Sequence, residues 1–218
     1  TTNGPMLQHY TALLAEALPP QRAVLLSDEP RRSYLLQSYV AKNRQGKDYL
    51  FLDTAALSWP DYHRFLNRKY PRAWESNPSK EIVQRADPLI LVQLIARLSK
   101  TNQIYYLHPS FGYYFEFFHL EPHGLVYRLN PYPTNYLFAP SPSKKLIAEN
   151  DTFWMKAEAQ AIRPLLAAVA PPSPDKQPSL RDRLVETAHL VREPNHDATT
   201  IAAFYSRALN YWGVEVQK

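Results

Sequence analysis

No cysteine occurs among the 218 residues, which removes disulfides, thiolate nucleophiles and thiolate zinc sites from the available chemistry. Glycine is nearly as scarce, five residues against twenty prolines. A chain so composed reverses direction at rigid proline corners and has little material for loops that cradle phosphates. No GxxxxGK[ST] loop, GxGxxG turn, GxSxG elbow or HExxH helix is present, which argues against a self-contained nucleotide-using enzyme. Long apolar runs are missing too. The longest candidate, Pro88 to Ala96, is less than half of the roughly 18 to 20 residues that a membrane helix needs. No secretory leader stands at Thr1, so the chain as given reads as soluble, and its start suits a piece cut from a longer protein.

What is present is the material of a folded globular protein. Hydrophobic residues make up 45% and charged residues 21%, enough for one substantial core with or without a small helical appendage. The net charge of +5 and pI near 9.3 raise a nucleic-acid or anionic-membrane reading. The cations are spread, however, over Arg31-Arg32, Lys42 to Lys47, Arg64 to Arg72 and Lys144-Lys145. That spread is the pattern of an ordinary solvated surface.

The segment from Gln103 to Pro131 organises the rest. Ile104 to Leu107 is a short β-branched and aromatic run stopped by His108-Pro109, and Leu125 to Leu129 is a second, entered through Gly124 and closed by Asn130-Pro131. Ahead of it the pattern predicts a helix over 6–18, a strand over 22–26, a helix over 31–42, a strand over 49–52, a helix over 59–70 and further helix over 80–98. Strands alternating with helices, and strands apolar on both faces, define an α/β protein. The expected architecture is a three-layer sandwich with a short, mainly parallel sheet, with Leu125 to Leu129 as an edge strand. Behind a proline-rich connector at 132–143 the chain turns helical, roughly over 151–169, 179–191 and 198–217, with 171–178 as a stiff linker. The division is an α/β domain over 1–140 and a helical segment over 141–218.

In an open parallel sheet, ligands bind beyond the carboxyl ends of the strands. Asp28, Glu29, Asp53, His108 and Ser110 would meet there, as a candidate cleft for a cation, a sugar or a polar peptide group. The same acids suit helix caps and turns, the reading their residue types favour. Tyr113, Tyr114 and Phe117, within the aromatic run 111–118, form a candidate contact surface for a sugar, with burial in the core or against a partner domain as the default. Basic residues do not interleave with these rings, which argues against nucleic acid. His119, Glu121 and His123 alternate and would project to one side of an extended chain, as metal ligands do. Pro122 interrupts that geometry, and a hydrogen-bonded turn is expected instead, with no metal or cofactor.

Several stretches resemble a known family. ALPPQRAVLLSDEPRRSYLLQSYV followed by KDYLFLDTAALSWPDYHRFL, and later QIYYLHP and EPHGLVYRLNP, look like the soluble segment of bacterial protein O-mannosyltransferase-like membrane proteins of unknown function. YSRALNYWGVEVQK is similar to the first helix of a tetratricopeptide repeat. The family's Gly-Asp-Asn-Asp turn is replaced here by Ser27-Asp28-Glu29-Pro30, so no role is carried onto that turn. The resemblance implies an extracytoplasmic module of a multi-spanning protein. Its partners would be the membrane-embedded part of the same parent chain and the helical repeats that follow, with a glycan or peptide acceptor as the possible ligand. The membrane part would hold any catalytic acid, so the resemblance assigns no catalytic residue to this stretch. Two alternatives stand beside it: a small hydrolase or transferase using the strand-end acids and His108, and a basic nucleic-acid-binding domain.

Overall fold

The computed structural model describes residues 4–20, 22–43, 49–71, 74, 85–107, 116–133, 138–169 and 196–217. Strand β1 (Ala23–Ser27) reads AVLLS and is buried along its whole length. Such a strand needs cover on both faces. It pairs in parallel with β2 (Leu50–Asp53), Val24 opposite Leu50, and with β3 (Gln103–Tyr106), Leu26 opposite Tyr106. Beyond β3 the sheet changes sense. Strands β4 (Phe118–His123) and β5 (Val126–Pro131) form an antiparallel hairpin whose second strand joins β3, giving the order β2-β1-β3-β5-β4.

The sheet is therefore mixed, a parallel unit extended by a hairpin. The strand expected at the edge, Leu125 to Leu129, lies inside, and His119 to His123, expected as a turn, is the outermost strand. Pro122 explains the placement. It has no N–H to give to a ladder, so a strand containing it belongs at an edge. Gly124 turns the hairpin at φ 60°, a conformation glycine adopts without steric penalty.

Among the described residues four helices begin on a proline: α1 (Pro5–Glu16), α2 (Pro30–Lys42), α3 (Pro60–Lys69) and α4 (Pro88–Ser99). Proline suits that position because its missing N–H is one the first turn leaves unbonded anyway. The helix expected from residue 80 is described only from Pro88, where the Asp87 side chain accepts from the Ile90 N–H at 3.0 Å. Helix α5 (Lys144–Ala157) starts earlier than expected, because Ser143 caps it through the Leu146 N–H at 3.2 Å. A π turn over Glu158–Ile162 leads into α6 (Arg163–Val169), and α7 (His196–Val216) closes the described chain. The expected linker at 171–178 and helix at 179–191 lie outside the described residues.

Helices cover both faces of the sheet. On one side α1, α2, α5 and α7 enclose Tyr10, Leu14, Leu25, Leu36, Trp154 and Tyr205. On the other, α3 and α4 enclose Val24, Leu26, Leu66, Ile95 and Phe118. Each such side chain, fully buried, contributes about 1.5–3 kcal/mol. The result is an α/β protein with a helix at its C-terminal end.

Candidate functional site

The carboxyl ends of β1, β2 and β3 lie side by side, as the sheet order requires. Asp28, just past β1, accepts hydrogen bonds at Oδ1 from the Thr54 hydroxyl at the end of β2 and from the Tyr106 hydroxyl on β3. Thr54 is bound to β1 a second time, its N–H donating to the Ser27 carbonyl at 3.1 Å. Asp53 turns the chain after β2: its Oδ1 accepts the Ala56 N–H at 3.1 Å, while its own N–H donates to the Tyr62 hydroxyl at 2.9 Å. Burial pushes that Tyr62 hydroxyl up to a pKa of about 12, against the weaker opposing effect of the backbone hydrogen bond. It stays a neutral phenol at any physiological pH.

Glu29 has a different neighbour. Its Oε2 faces Arg32 Nη2 at 3.4 Å, an ion pair from the N-terminal flank of α2 to its first turn. Arg32 is 3% exposed. Its Nη1 donates to the Leu107 carbonyl at 3.1 Å, and its guanidinium carbon lies 3.8 Å from the ring centroid of Phe204 on α7. Arg32 thus occupies the gap between the ends of β1 and β3. There β2 follows on one side and β3 on the other, the switch point at which open α/β sheets hold ligands. Here a buried cation and an aromatic ring from the last helix fill it.

Asp28, Glu29 and Asp53 are brought to one end of the sheet, as their sequence positions predict; Asp28 and Asp53 are held by hydrogen bonds within the fold, whereas Glu29 is ion-paired with Arg32 and its buried Oε2 accepts no hydrogen bond. His108, Ser110, Tyr113 and Tyr114 lie outside the described residues. Phe117 is 49% exposed and immediately precedes the edge strand.

The His119, Glu121 and His123 side chains do not converge as a metal set, and no group of three metal-ligating side chains lies together among the described residues. His123 Nε2 donates to Glu121 Oε1 at 2.8 Å, and this bond holds the Glu121 carboxyl below the usual carboxylate range. The His119 ring lies 5.5 Å from that of Tyr132. Burial pulls its pKa below the usual histidine value, with Glu121 and Glu215 acting in the opposite sense. Behind the hairpin a groove of about 280 Å³ is lined by Glu16, His123, Glu149, Asn150, Phe153 and Lys156. Lys156 Nζ bonds both Glu16 oxygens, at 2.5 and 2.6 Å, and the volume falls just short of the ~300–1,000 Å³ of ordinary small-molecule sites.

Sequence reasoning missed two features. One is the Arg32–Phe204 contact, whose partners are separated by most of the chain and share no local signal. The other is the outer surface of α3, where rings and cations do alternate. Trp59, at its start, is 52% exposed and Phe65 is 43% exposed. Tyr62 stacks on Phe65, with centroids 5.8 Å apart and planes at 19°. Lys69 Nζ lies 5.5 Å from the Phe65 ring and 5.1 Å from that of Tyr70, and Arg85 lies over Trp59 at 5.2 Å. The signal was legible in Tyr62, Phe65 and Lys69, which recur at helical spacing.

The fold and this end of the sheet define an α/β protein in which the strand-end acids Asp28 and Asp53 are engaged in hydrogen bonds within the fold. Compared with known proteins, the chain matches no family model, no curated protein and no solved structure.

Proposed function

We propose that this chain is a non-catalytic recognition module, an extracytoplasmic accessory domain of a glycosyltransferase-like multi-spanning membrane protein. The observation that carries the non-catalytic part is the state of the strand-end acids. Asp28 already accepts from Thr54 and Tyr106, Asp53 from the Ala56 amide, and Glu29 faces Arg32. A general acid or base must reach a substrate proton directly or through one water; Asp28 and Asp53 are committed to hydrogen bonds within the fold, and Glu29 is neutralised by the buried Arg32. The switch-point gap, where a substrate would sit, is occupied by Arg32 and Phe204. Both points weigh against the hydrolase or transferase alternative.

The membrane context rests on the resemblance of the strand and turn segments. Among the described residues no helix is long and apolar enough to cross a membrane. The test is made on the natural reading frame. Several apolar segments of about 20 residues are expected ahead of Thr1, and alkaline phosphatase joined after residue 218 is expected to be active, because that enzyme matures only outside the cytoplasm. A reading frame beginning near Thr1, or a silent phosphatase fusion beside an active cytoplasmic reporter, would sink the proposal.

A further inference from the structure

We infer that Arg32, in the first turn of α2, is a binding site for an oxyanion that presents two oxygens, a carboxylate or a phosphate ester, and that Glu29 is a resident carboxylate which the ligand displaces. This deepens the recognition reading above, and rests on it for a site that binds without reacting, by naming the place and the chemical class of the ligand.

The donors come first. Arg32 carries five N–H groups in a rigid plane, and its side chain is 4% exposed. Nη1 donates to the Leu107 carbonyl at 3.1 Å. Nε and Nη2, whose N–H groups point the same way from another edge of the plane, make no hydrogen bond among the described residues, although both atoms are buried. That edge is the one that grips two oxygens of a carboxylate or phosphate side by side. Its direction is fixed, because the Leu107 bond holds one end of the group and the Phe204 ring, 3.8 Å away, lies against its plane. A buried cation whose donors are unbonded is unfavourable in any fold. An acceptor with two oxygens relieves it.

Glu29 shows both the class of acceptor and the route. Its Oε2 stands 3.4 Å from Nη2 but accepts no hydrogen bond, so a carboxylate already sits beside the fork without engaging it. The Glu29 side chain is 36% exposed. It is the solvent side of the pair, and turning it outward uncovers the fork. The backbone need not move, since the Glu29 N–H and carbonyl are both bonded to the Ser27 hydroxyl, at 3.1 and 2.9 Å. No cap is lost either, for the Glu29 side chain makes no capping bond to α2. The first-turn amides of that helix add to the attraction for an anion. Exchanging one carboxylate for another oxyanion also keeps a negative charge beside the buried guanidinium.

The test uses the whole chain, with acetate and inorganic phosphate as probes. Chloride at equal ionic strength is the control, because a monatomic ion lacks the second oxygen. The Arg32 Nε–H resonance should shift saturably with a probe and not with chloride. Glu29→Gln, which keeps the size and removes the charge, should tighten probe binding about tenfold, because the fork is no longer contested. A probe should also raise the melting temperature of that variant more than that of the parent chain. Arg32→Lys, which keeps the charge and loses the fork, should abolish the binding. If it fails to fold, the Nε–H titrations of the parent chain and of Glu29→Gln decide the matter without it. A stronger response to acetate assigns a carboxylate ligand and a stronger response to phosphate a phosphate ester, and either supports the inference.

An equal response to chloride, unchanged or weaker binding in Glu29→Gln, or binding that survives Arg32→Lys would overturn it. The recognition reading is judged separately, by the reporter fusion. An active phosphatase beside failed probe binding would leave that reading standing, and a silent one beside intact probe binding would sink the membrane context alone.

Discussion

His63 is fully buried on the inner side of α3, and its Nε2 donates to the Leu57 carbonyl at 2.6 Å. That bond fixes the tautomer: the proton sits on Nε2, and Nδ1 is left without a hydrogen-bond partner. Protonating Nδ1 would place a second donor and a charge where nothing accepts them. Burial accordingly pulls the pKa of His63 below its ordinary value of 6.5, against the opposing effect of the Leu57 hydrogen bond. Below pH 6.5 the unfolded chain takes up a proton that the folded chain refuses. The stabilisation is therefore complete above that pH and is lost as pH falls through the window below it. His119 acts in the same direction, whereas Glu121 titrates lower still. Denaturant unfolding at several pH values between 7.5 and 5.5, about one unit either side of the histidine value, should show stability falling with pH. His63→Gln, which keeps a donor for Leu57, should flatten that slope. An unchanged slope in the variant would mean that His63 is not the titrating group.

At the scale of elements, the joint between the β4–β5 hairpin and α5 turns on one residue. Asn150 is 2% exposed. Its Oδ1 accepts the Gly124 N–H at 2.8 Å, and its Nδ2 donates to the Pro122 carbonyl at 2.9 Å and to the Leu146 carbonyl at 3.0 Å. The Pro122 carbonyl belongs to the edge strand, so this side chain ties the sheet's last strand to a helix. The fit is close, for a Cβ added at Gly124 would stand 2.7 Å from the Phe153 ring. Asn150→Ala would leave a buried amide and a buried carbonyl unbonded, a loss of about 2–6 kcal/mol at ~1–3 kcal/mol per orphaned group. Asn150→Asp should recover only the Gly124 bond, since a carboxylate cannot donate. The measurement is the denaturation midpoint of both variants. A loss below about 0.5 kcal/mol, the range of ordinary surface substitutions, would show that the joint is held by the Phe153 packing instead.

At the scale of the whole molecule, α7 decides whether the described parts form one cooperative unit. It buries Ala198, Ile201, Tyr205, Ala208 and Trp212 in the core shared with α1, α2 and α5. Tyr205 meets Tyr10 edge-on at 5.6 Å, and Tyr211 meets Tyr127 of β5 at 4.9 Å. Its three large side chains in the core contribute about 1.5–3 kcal/mol each, a sum comparable with the ~5–15 kcal/mol that holds a domain folded. A chain ending at residue 195 should therefore lose its sharp thermal transition and bind a hydrophobic dye, since Tyr10, Leu14 and the apolar face over Arg32 would be uncovered. A truncated chain that melts at the same temperature as the full one would show α7 to be an independent appendage.

The sequence by itself determined the local elements. Proline at four helix starts, apolar runs of strand length and the alternation of the two are short-range signals, and α1 to α4 and β1 to β3 follow them closely. Pro122 even carried the reason for β4 to lie at the edge, although a proline reads locally as a turn. The strand-end positions of Asp28, Glu29 and Asp53 were legible for the same reason, because strand order and direction place them.

Only the tertiary structure decided what those acids do, since Thr54 and Tyr106 reach Asp28 from 26 and 78 residues away. It likewise decided that Arg32 is buried beneath Phe204, and that the hairpin inserts β5 between β3 and β4. Each of these depends on pairings between distant segments, where burial and hydrogen-bond satisfaction choose the partner. The aromatic and basic alternation on α3 lay in plain view in the sequence. What the packing added is that Leu66 and His63 take the inner side, leaving Trp59 and Phe65 to the solvent.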